Sequence, residues 1–371
     1  MIVRMEARGL ANTIQKGFSS PNPGYLQRTQ VHLSLQEALE KPVTTVIAGA
    51  GYGKTQVTYA FLQEYDATTM WLQLSMFDNL PLKLWDNLIQ AVSLQHKDLA
   101  SSLLSLGFPE TAASYYRFLQ IFSREIKQGK KQVLVFDDSH LIREKAVLLF
   151  FEQLIEAQIP NLSLVFISRN ELGFDTVRLL SKGLLSRITE DELRFSKQEM
   201  IDYLRLQNLS VSPKAVADIY ASTDGWAFAI HLVALSLKND FTTEEYALFA
   251  AKENIFRLLE SEVFSVVPKN MQTSLIKLSL LDQIPSKLLK ELFPNTDMLA
   301  AEIEKIGSFI RYDAFSNVYR IHHLFLSFLA EKQGVLKEAD KKAIYLKAAN
   351  WCAQNGNRTN AIVYYAKVHD Y

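Results

Sequence analysis

The sequence holds a single cysteine, Cys352, in 371 residues. No disulfide can form within the chain, and this usage fits a reducing compartment. There is no excess of charge: Lys+Arg 40 balance Asp+Glu 40, for a formal net charge of +0. Such a chain has no global field to hold nucleic acid or an anionic membrane, which leaves only local patches for those roles. No apolar run is long enough to span a bilayer. The first residues lack the continuous apolar core of a secretory signal, because Glu6, Arg8, Asn12 and Gln15 interrupt it. The expected location is therefore cytoplasmic. Hydrophobic content of 48% and charged content of 22% are those of an ordinary globular protein. The length suggests roughly two to four domains.

Glycine is also scarce, Gly 14 in all, so its crowding in one stretch is informative. Val43–Ile47 reads Val-Thr-Thr-Val-Ile, five β-branched residues that suit a buried strand. Ala48-Gly49-Ala50-Gly51-Tyr52-Gly53-Lys54-Thr55 follows, and then a helical pattern with Val57, Ala60 and Phe61 on one face. Strand, glycine loop and helix form the arrangement that cradles phosphates with backbone N–H groups and a helix N-terminus. Lys54 would reach the β- and γ-phosphates, and the Thr55 hydroxyl would bind Mg²⁺. Ala48 stands where the strict pattern has its first glycine.

The second half of such a site follows. Val133-Leu134-Val135-Phe136 is apolar without alternation, as in a strand covered on both faces, and it runs into Asp137-Asp138. Asp137 is expected to hold Mg²⁺ through water, and Asp138 to orient or deprotonate an attacking water. Leu162–Ile167 is another buried strand, ending in Ser168-Arg169, and Arg169 would sit beside the γ-phosphate. Thr69–Leu74 is a further strand candidate, and Arg28–Leu39, Asn79–Val92, Ala112–Ile126 and Glu144–Ala157 read as helices. The alternation predicts a doubly wound α/β domain over 28–195 with a mainly parallel sheet, preceded by a leader or adaptor segment over 1–27.

From Ser196 the pattern turns helical. Ser196-Lys197-Gln198-Glu199 is a capping box, Ser212-Pro213 a helix start, and Thr223-Asp224-Gly225 a helix stop. Trp226–Lys238 and a second box at Thr242–Glu245 complete a helical domain over 196–262. Over 263–335, helices at Asn270–Leu281, Ser286–Leu292 and Met298–Ile306 precede a hairpin of Phe309–Tyr312 with Val318–Ile321. A last helix at His323–Lys332 makes a winged-helix arrangement. Lys341–Asn355 and Thr359–Val368 form a helical hairpin over 336–371. One hairpin cannot bury both its faces. We therefore expect a shortened piece of a longer chain, or a natural form lacking the rest of a helical array.

These motifs, in this order and spacing, resemble those of the signal-transducing ATPases of the STAND class. The resemblance is strongest to the large ATP-binding LuxR-type transcription activators of the maltose-activator kind. It is carried by Arg28, Lys41-Pro42-Val43, Ala48–Thr55, Trp71–Leu74, Phe136–Ile142, Ile167–Arg169, Leu193-Arg194-Phe195 with Glu199, Gly225-Trp226 and Tyr319–Phe325. That family commonly carries alanine where Ala48 stands. The resemblance implies nucleotide contacts from Gly49, Ala50, Gly51, Tyr52, Gly53, Lys54, Thr55, Gln56 and Arg28, and from His322 on the ADP β-phosphate. Two positions depart from it: Ala227 and His323 replace prolines.

The implied function is an ATP/ADP switch with Mg²⁺. ADP holds it shut, ATP promotes homo-oligomerisation, and slow hydrolysis resets it. An inducer would act through repeats beyond this chain, and DNA would be met through a C-terminal helix-turn-helix absent here. Two other classes stay open: a motor or loader ATPase, which needs fast turnover, and an interaction scaffold whose nucleotide is structural. Direct DNA binding by the winged helix is disfavoured, because Lys269, Lys277, Lys287, Lys290 and Arg311 are offset by Asp282, Glu291, Asp297, Glu302 and Glu304.

Overall fold

A computed structural model describes residues 25–126, 129–238, 250, 252–257, 259–281, 284–293, 299, 303, 309–313, 317–321 and 323–369. The chain divides into two compact units. One holds Gly51–Tyr220 with the chain up to Ile47 and Asp224–Ala227; the other holds Phe228–Tyr371 with Ala48–Ala50 and Ala221–Thr223. The division leaves the first helices after Ser196 in the same unit as the sheet.

In the first unit α1 (Thr29–Ala38) leads to β1 (Val43–Ile47), and α2 (Lys54–Glu64) to β2 (Ala67–Gln73). Helices α3 (Pro81–Ser93), α4 (Lys97–Leu106) and α5 (Ala112–Ile126) precede β3 (Lys131–Asp137). Then come α6 (Lys145–Glu156), β4 (Leu162–Ser168), α7 (Thr176–Ser181) and β5 (Leu185–Ile188). The five strands are parallel in the order β2-β3-β4-β1-β5. All of β4 and nearly all of β1 and β3 are buried, which their unbroken apolar and β-branched runs foretold. Beneath them Phe136 stacks on Phe166 at 5.0 Å, and Phe151 meets Phe136 at 4.7 Å. The expected fold class is borne out.

Some elements differ from expectation for local reasons. The helix expected from Asn79 begins at Pro81, because proline disfavours helical backbone at Leu80 (φ −82°, ψ 116°) and suits the first helical position. Met76–Asn79 instead forms a 3₁₀ turn closed by a Ser75/Asp78 capping box. Neither α4 nor β5 was anticipated. The first is serine-rich without a side-chain cap, and the second is four residues long, too short for a period to show.

Beyond β5 come α8 (Glu190–Leu193), α9 (Lys197–Leu206), α10 (Pro213–Thr223) and α11 (Ala227–Leu237). Ser196 and Glu199 make the predicted reciprocal cap, and Pro213 opens its helix as expected. In the second unit α12 (Lys269–Leu278), β6 (Ile284–Pro285), α13 (Ser286–Leu292), β7 (Ile310–Asp313), β8 (Val318–Ile321) and α14 (His323–Glu331) follow in order. The predicted hairpin is present, and β6 adds a third antiparallel strand in the order β6-β8-β7. Helices α15 (Glu338–Gln354) and α16 (Arg358–His369) form the helical hairpin, with Tyr345 stacked on Tyr364 at 6.3 Å. The box at Thr242–Glu245, and most of the helix expected at Met298–Ile306, lie outside the described residues.

The stop at Asp224-Gly225 is held by close backbone approach. Asp224 and Gly225 both have left-handed φ, 47° and 72°, and the Phe195 N–H donates to the Gly225 carbonyl at 2.8 Å. A Cβ on Gly225 would lie 2.4 Å from the Phe195 carbonyl oxygen. Gly225→Ala is therefore expected to destabilise the protein by about 2–4 kcal/mol, from backbone strain plus overlap. Gly183 has φ +69° but open space around it, so Gly183→Ala should cost only about 1 kcal/mol. Urea unfolding of the two variants checks this; equal losses would show that the contact with Phe195 is not limiting.

Candidate functional site

Strand order creates the site. From β1 the chain leaves toward β2 on one side of the sheet, and from β4 it leaves toward β5 on the other. Ligands of open α/β sheets bind beyond the carboxyl ends of the strands, at such a reversal. The glycine loop follows β1, Asp137 ends β3, and Arg169 follows β4. The segments that the sequence singled out thus share one edge of one sheet.

Within the loop, Gly51 and Gly53 take φ of 79° and 75°, and Gly53 caps α2. The Cβ-less residue is needed at Gly53 for its backbone angle, since nothing lies within 4 Å of where a Cβ would stand. The first turn of α2 carries no acidic residue, so its positive end is open to an anion. Lys54 is the first residue of α2 and is buried. Burial, then the charge of Arg169, lowers its pKa to about 8, against the pull of Asp138 and Asp137. Arg169 is exposed at the edge.

Thr55 donates from Oγ1 to Asp137 Oδ1 at 3.1 Å, and the Asp138 N–H donates to the same oxygen at 2.9 Å. The other oxygen, Oδ2, is buried without a hydrogen-bond partner among the described residues. Burial, then the neighbouring Asp138 charge, raises the Asp137 pKa to about 6. A hydroxyl beside a carboxylate with an unsatisfied oxygen is a fitting donor set for a hard divalent cation such as Mg²⁺. The edge therefore gathers two cations near one another and two carboxylates near one another. It suits a ligand that carries both signs, a metal-bound phosphate chain.

Asp138 is held in left-handed backbone, φ 57°, and is partly exposed. Gln73, the last residue of β2, donates from Nε2 to Asp138 Oδ2 at 2.6 Å. His140 Nδ1 lies 3.8 Å from Asp138 Oδ1. Burial drives the His140 pKa down to about 4, outweighing Asp138, so the imidazole is neutral near pH 7 and this approach is no ion pair. Gln73 escaped the sequence reading. Its only signal was a polar residue at the end of a strand that pairs beside β3, with Gln73 in register with Asp137.

Arg28, expected on the nucleotide, is bonded here to protein acceptors. Its guanidinium donates to the carbonyls of Leu193 (2.7 Å) and Arg194 (2.6 Å), bonds Glu199 at 2.9 Å, and covers the Phe195 ring at 4.6 Å. It is a buried clamp between the start of α1 and the α8–α9 connection. His322 lies outside the described residues.

Residues 260–341 match the family model described as the MalT winged helix domain. The chain is 27% identical over 341 residues to the HTH-type transcriptional regulator MalT of Klebsiella pneumoniae, covering 88% of this chain and 37% of that protein. It is 24% identical over 357 residues to the serine/threonine-protein kinase PknK of Mycobacterium tuberculosis, covering 93% of this chain and 32% of that protein. The chain thus spans about a third of the length of these curated relatives. Among solved structures, the Walker-type ATPase paby2304 of Pyrococcus abyssi aligns with a TM-score of 0.59 at 15% identity, over 82% of this chain and 95% of that one. That last likeness is one of fold. The resemblance to maltose-activator-type ATPases is borne out. Among the described residues no helix is long and apolar enough to cross a membrane.

The neutral His140 has a consequence for acid stability. A histidine whose folded pKa is depressed keeps its stability above the unfolded value of about 6.5 and loses it as pH falls toward the folded value. The protein should weaken between about pH 6.5 and pH 4, by up to about 3 kcal/mol from this residue. His140→Gln should flatten that part of the stability curve, as read by urea midpoints at successive pH values. An unchanged slope would show that His140 titrates normally.

Proposed function

We propose that this chain is the nucleotide-dependent switch of a LuxR-type transcription regulator, with adenine nucleotide held at the loop Gly49–Gln56. The observation that carries the reading is the Thr55–Asp137 bond with Asp137 Oδ2 left over, set beside Lys54 and Arg169 at the sheet's reversal point. The backbone N–H groups of the loop and the α2 N-terminus bind the phosphates, and Lys54 neutralises their charge. Thr55 and Asp137 are the residues that would hold Mg²⁺. When bound, the ion screens the phosphate oxygens and fixes their orientation. Asp138, oriented by Gln73, accepts the proton of an attacking water, and Arg169 reports the γ-phosphate.

The switch reading is supported by the named relatives, a transcriptional regulator and a serine/threonine-protein kinase, and by a winged-helix match C-terminal to the site. A nucleotide moves a conformational equilibrium only through different contacts in the two states. Arg169 on the γ-phosphate is the differential contact of this scheme. The ADP form is the shut, resting state; the ATP form oligomerises. Hydrolysis is slow, because a switch needs lifetime in its active state.

Three measurements test the proposal. Intact mass of nucleotide copurified with the protein is expected to show ADP. Lys54→Ala is expected to abolish nucleotide binding in calorimetry, and Asp138→Asn to keep binding while removing turnover. Wild-type turnover is expected below about 1 s⁻¹; a value well above that would turn the reading toward a motor or loader ATPase. A folded wild-type sample that ignores millimolar ADP and ATP would end it.

A further inference from the structure

Tyr52 sits inside the phosphate loop between two left-handed glycines, Gly51 and Gly53, and is 1% exposed. A buried tyrosine between two flexible hinges is not required by anion capture, which uses backbone N–H groups. Its hydroxyl donates to Glu190 Oε1 at 2.9 Å, 138 residues further along the chain. Glu190 is itself buried at 5% exposure, at the head of α8. Arg194 donates from Nη2 to the same Glu190 oxygen at 2.9 Å, and from Nη1 to Asp224 Oδ2. Asp224 is the left-handed residue that ends α10. A second tie runs parallel to the first. The Tyr52 ring lies 6.4 Å from Trp226, and the Phe195 N–H donates to the Gly225 carbonyl. Arg28 closes the far side by donating to the Arg194 carbonyl.

We propose that Tyr52 is a positioning residue for the phosphate loop and the first link of a relay, Tyr52–Glu190–Arg194–Asp224, that couples the loop's conformation to the helix break at Asp224–Gly225. The proposal rests on the reading of the loop as a nucleotide site. Two left-handed glycines give the loop freedom that bound phosphate must remove. The phenol removes part of that freedom in advance by fastening the loop to a buried carboxylate. Burial and the Glu190 charge both hold the Tyr52 proton in place, so the group remains a donor. The Glu190 carboxylate is in turn held by Arg194, whose other arm fixes the break. Any movement of the loop on binding phosphate is therefore felt at Asp224, and by linkage the state of the break sets the loop's affinity. The sensed ligand is the phosphate chain, not the base, since the relay starts at the loop.

The test uses the whole chain with magnesium-ADP, and three variants. Tyr52→Phe keeps the ring against Trp226 and deletes the bond to Glu190. Asp224→Asn breaks the other end and leaves the loop untouched. Lys54→Ala reads the nucleotide site itself. Tyr52→Phe is expected to bind magnesium-ADP about tenfold or more weakly, the loss of one hydrogen bond to a charged group. Asp224→Asn is expected to weaken binding in the same direction, and the double variant to be no worse than the weaker single one. Hydrogen exchange supplies the readout that simple loss of stability would not move. In the wild type, magnesium-ADP should slow exchange of the Phe195 amide; in Tyr52→Phe at saturating nucleotide, that difference should vanish. Should Tyr52→Phe fold poorly, Glu190→Gln reads the same link. Additive losses, or a Phe195 response that survives in Tyr52→Phe while Lys54→Ala abolishes binding, would overturn the relay and leave the nucleotide site standing. A wild type that binds no nucleotide would overturn both.

Discussion

The hydrogen bond from Thr55 to Asp137 is the constraint on which the site depends. It joins the first turn of α2 to the end of β3, although β1 and β3 are not neighbours: β4 lies between them. The bond can form only if all three strands end level, and their register ensures that they do, with Ile47 opposite Ser168 and Phe136 opposite Phe166. Ser139 adds a second stitch across the same edge by donating to the Ile167 carbonyl at 2.8 Å. A buried carboxylate is expensive unless bonded. Among the described residues, Asp137 has one oxygen satisfied twice and the other not at all. That asymmetry is the pattern expected of a cation site rather than of an acidic turn. A carboxylate serving only structure would turn both oxygens to donors.

Electrostatics at this edge follow from the packing. Lys54 and Asp137 are each pushed toward their neutral forms, chiefly by burial and then by a neighbour of like charge, Arg169 for one and Asp138 for the other. Opposite charges across the site only partly offset this. Such an edge is poised for a ligand that brings negative charge to the lysine and positive charge to the carboxylates together. His140 shows the same burial acting on a group that can simply become neutral, which it does. Its ring then fills space beside Asp138 without competing for the carboxylate's charge.

What was legible in the sequence was whatever is written in neighbouring residues. The β-branched run at Val43–Ile47, the glycine loop, the apolar strand ending in Asp137-Asp138 and the capping box at Ser196 each carry their signal within a few positions, and each appears where it was read. What stayed hidden depends on contacts between distant residues. Gln73 meets Asp138 because β2 pairs with β3, Glu190 meets Tyr52 across most of the first unit, and Arg28 is drawn to Leu193, Arg194 and Glu199. For Arg28 the sequence carries no sign of its protein acceptors, which three-dimensional packing supplies. A local pattern reports that an arginine is present, not which of several oxygens its planar fork will find.

Backbone geometry bears on Ala48, which departs from the strict loop pattern though not from the resembled family, and on Ala227, which departs from the family. Ala48 replaces the first glycine of the strict loop pattern. Among the described residues the loop's left-handed positions are Gly51 and Gly53, and Ala48 is not one of them. Its methyl group therefore carries no backbone strain, and it is buried at 4% exposure. Ala227 replaces a proline and is the first residue of α11. Proline is favoured there because its fixed φ suits the position and its missing N–H is not needed. Alanine keeps the same helix start without the ring's rigidity. The break it follows is already fixed from outside the helix, by Gly225 against Phe195 and by Arg194 on Asp224. Rigidity that proline would have supplied from within the chain is supplied here by contacts across it. A segment held by contacts, unlike one held by a ring, can be released when one of those contacts changes.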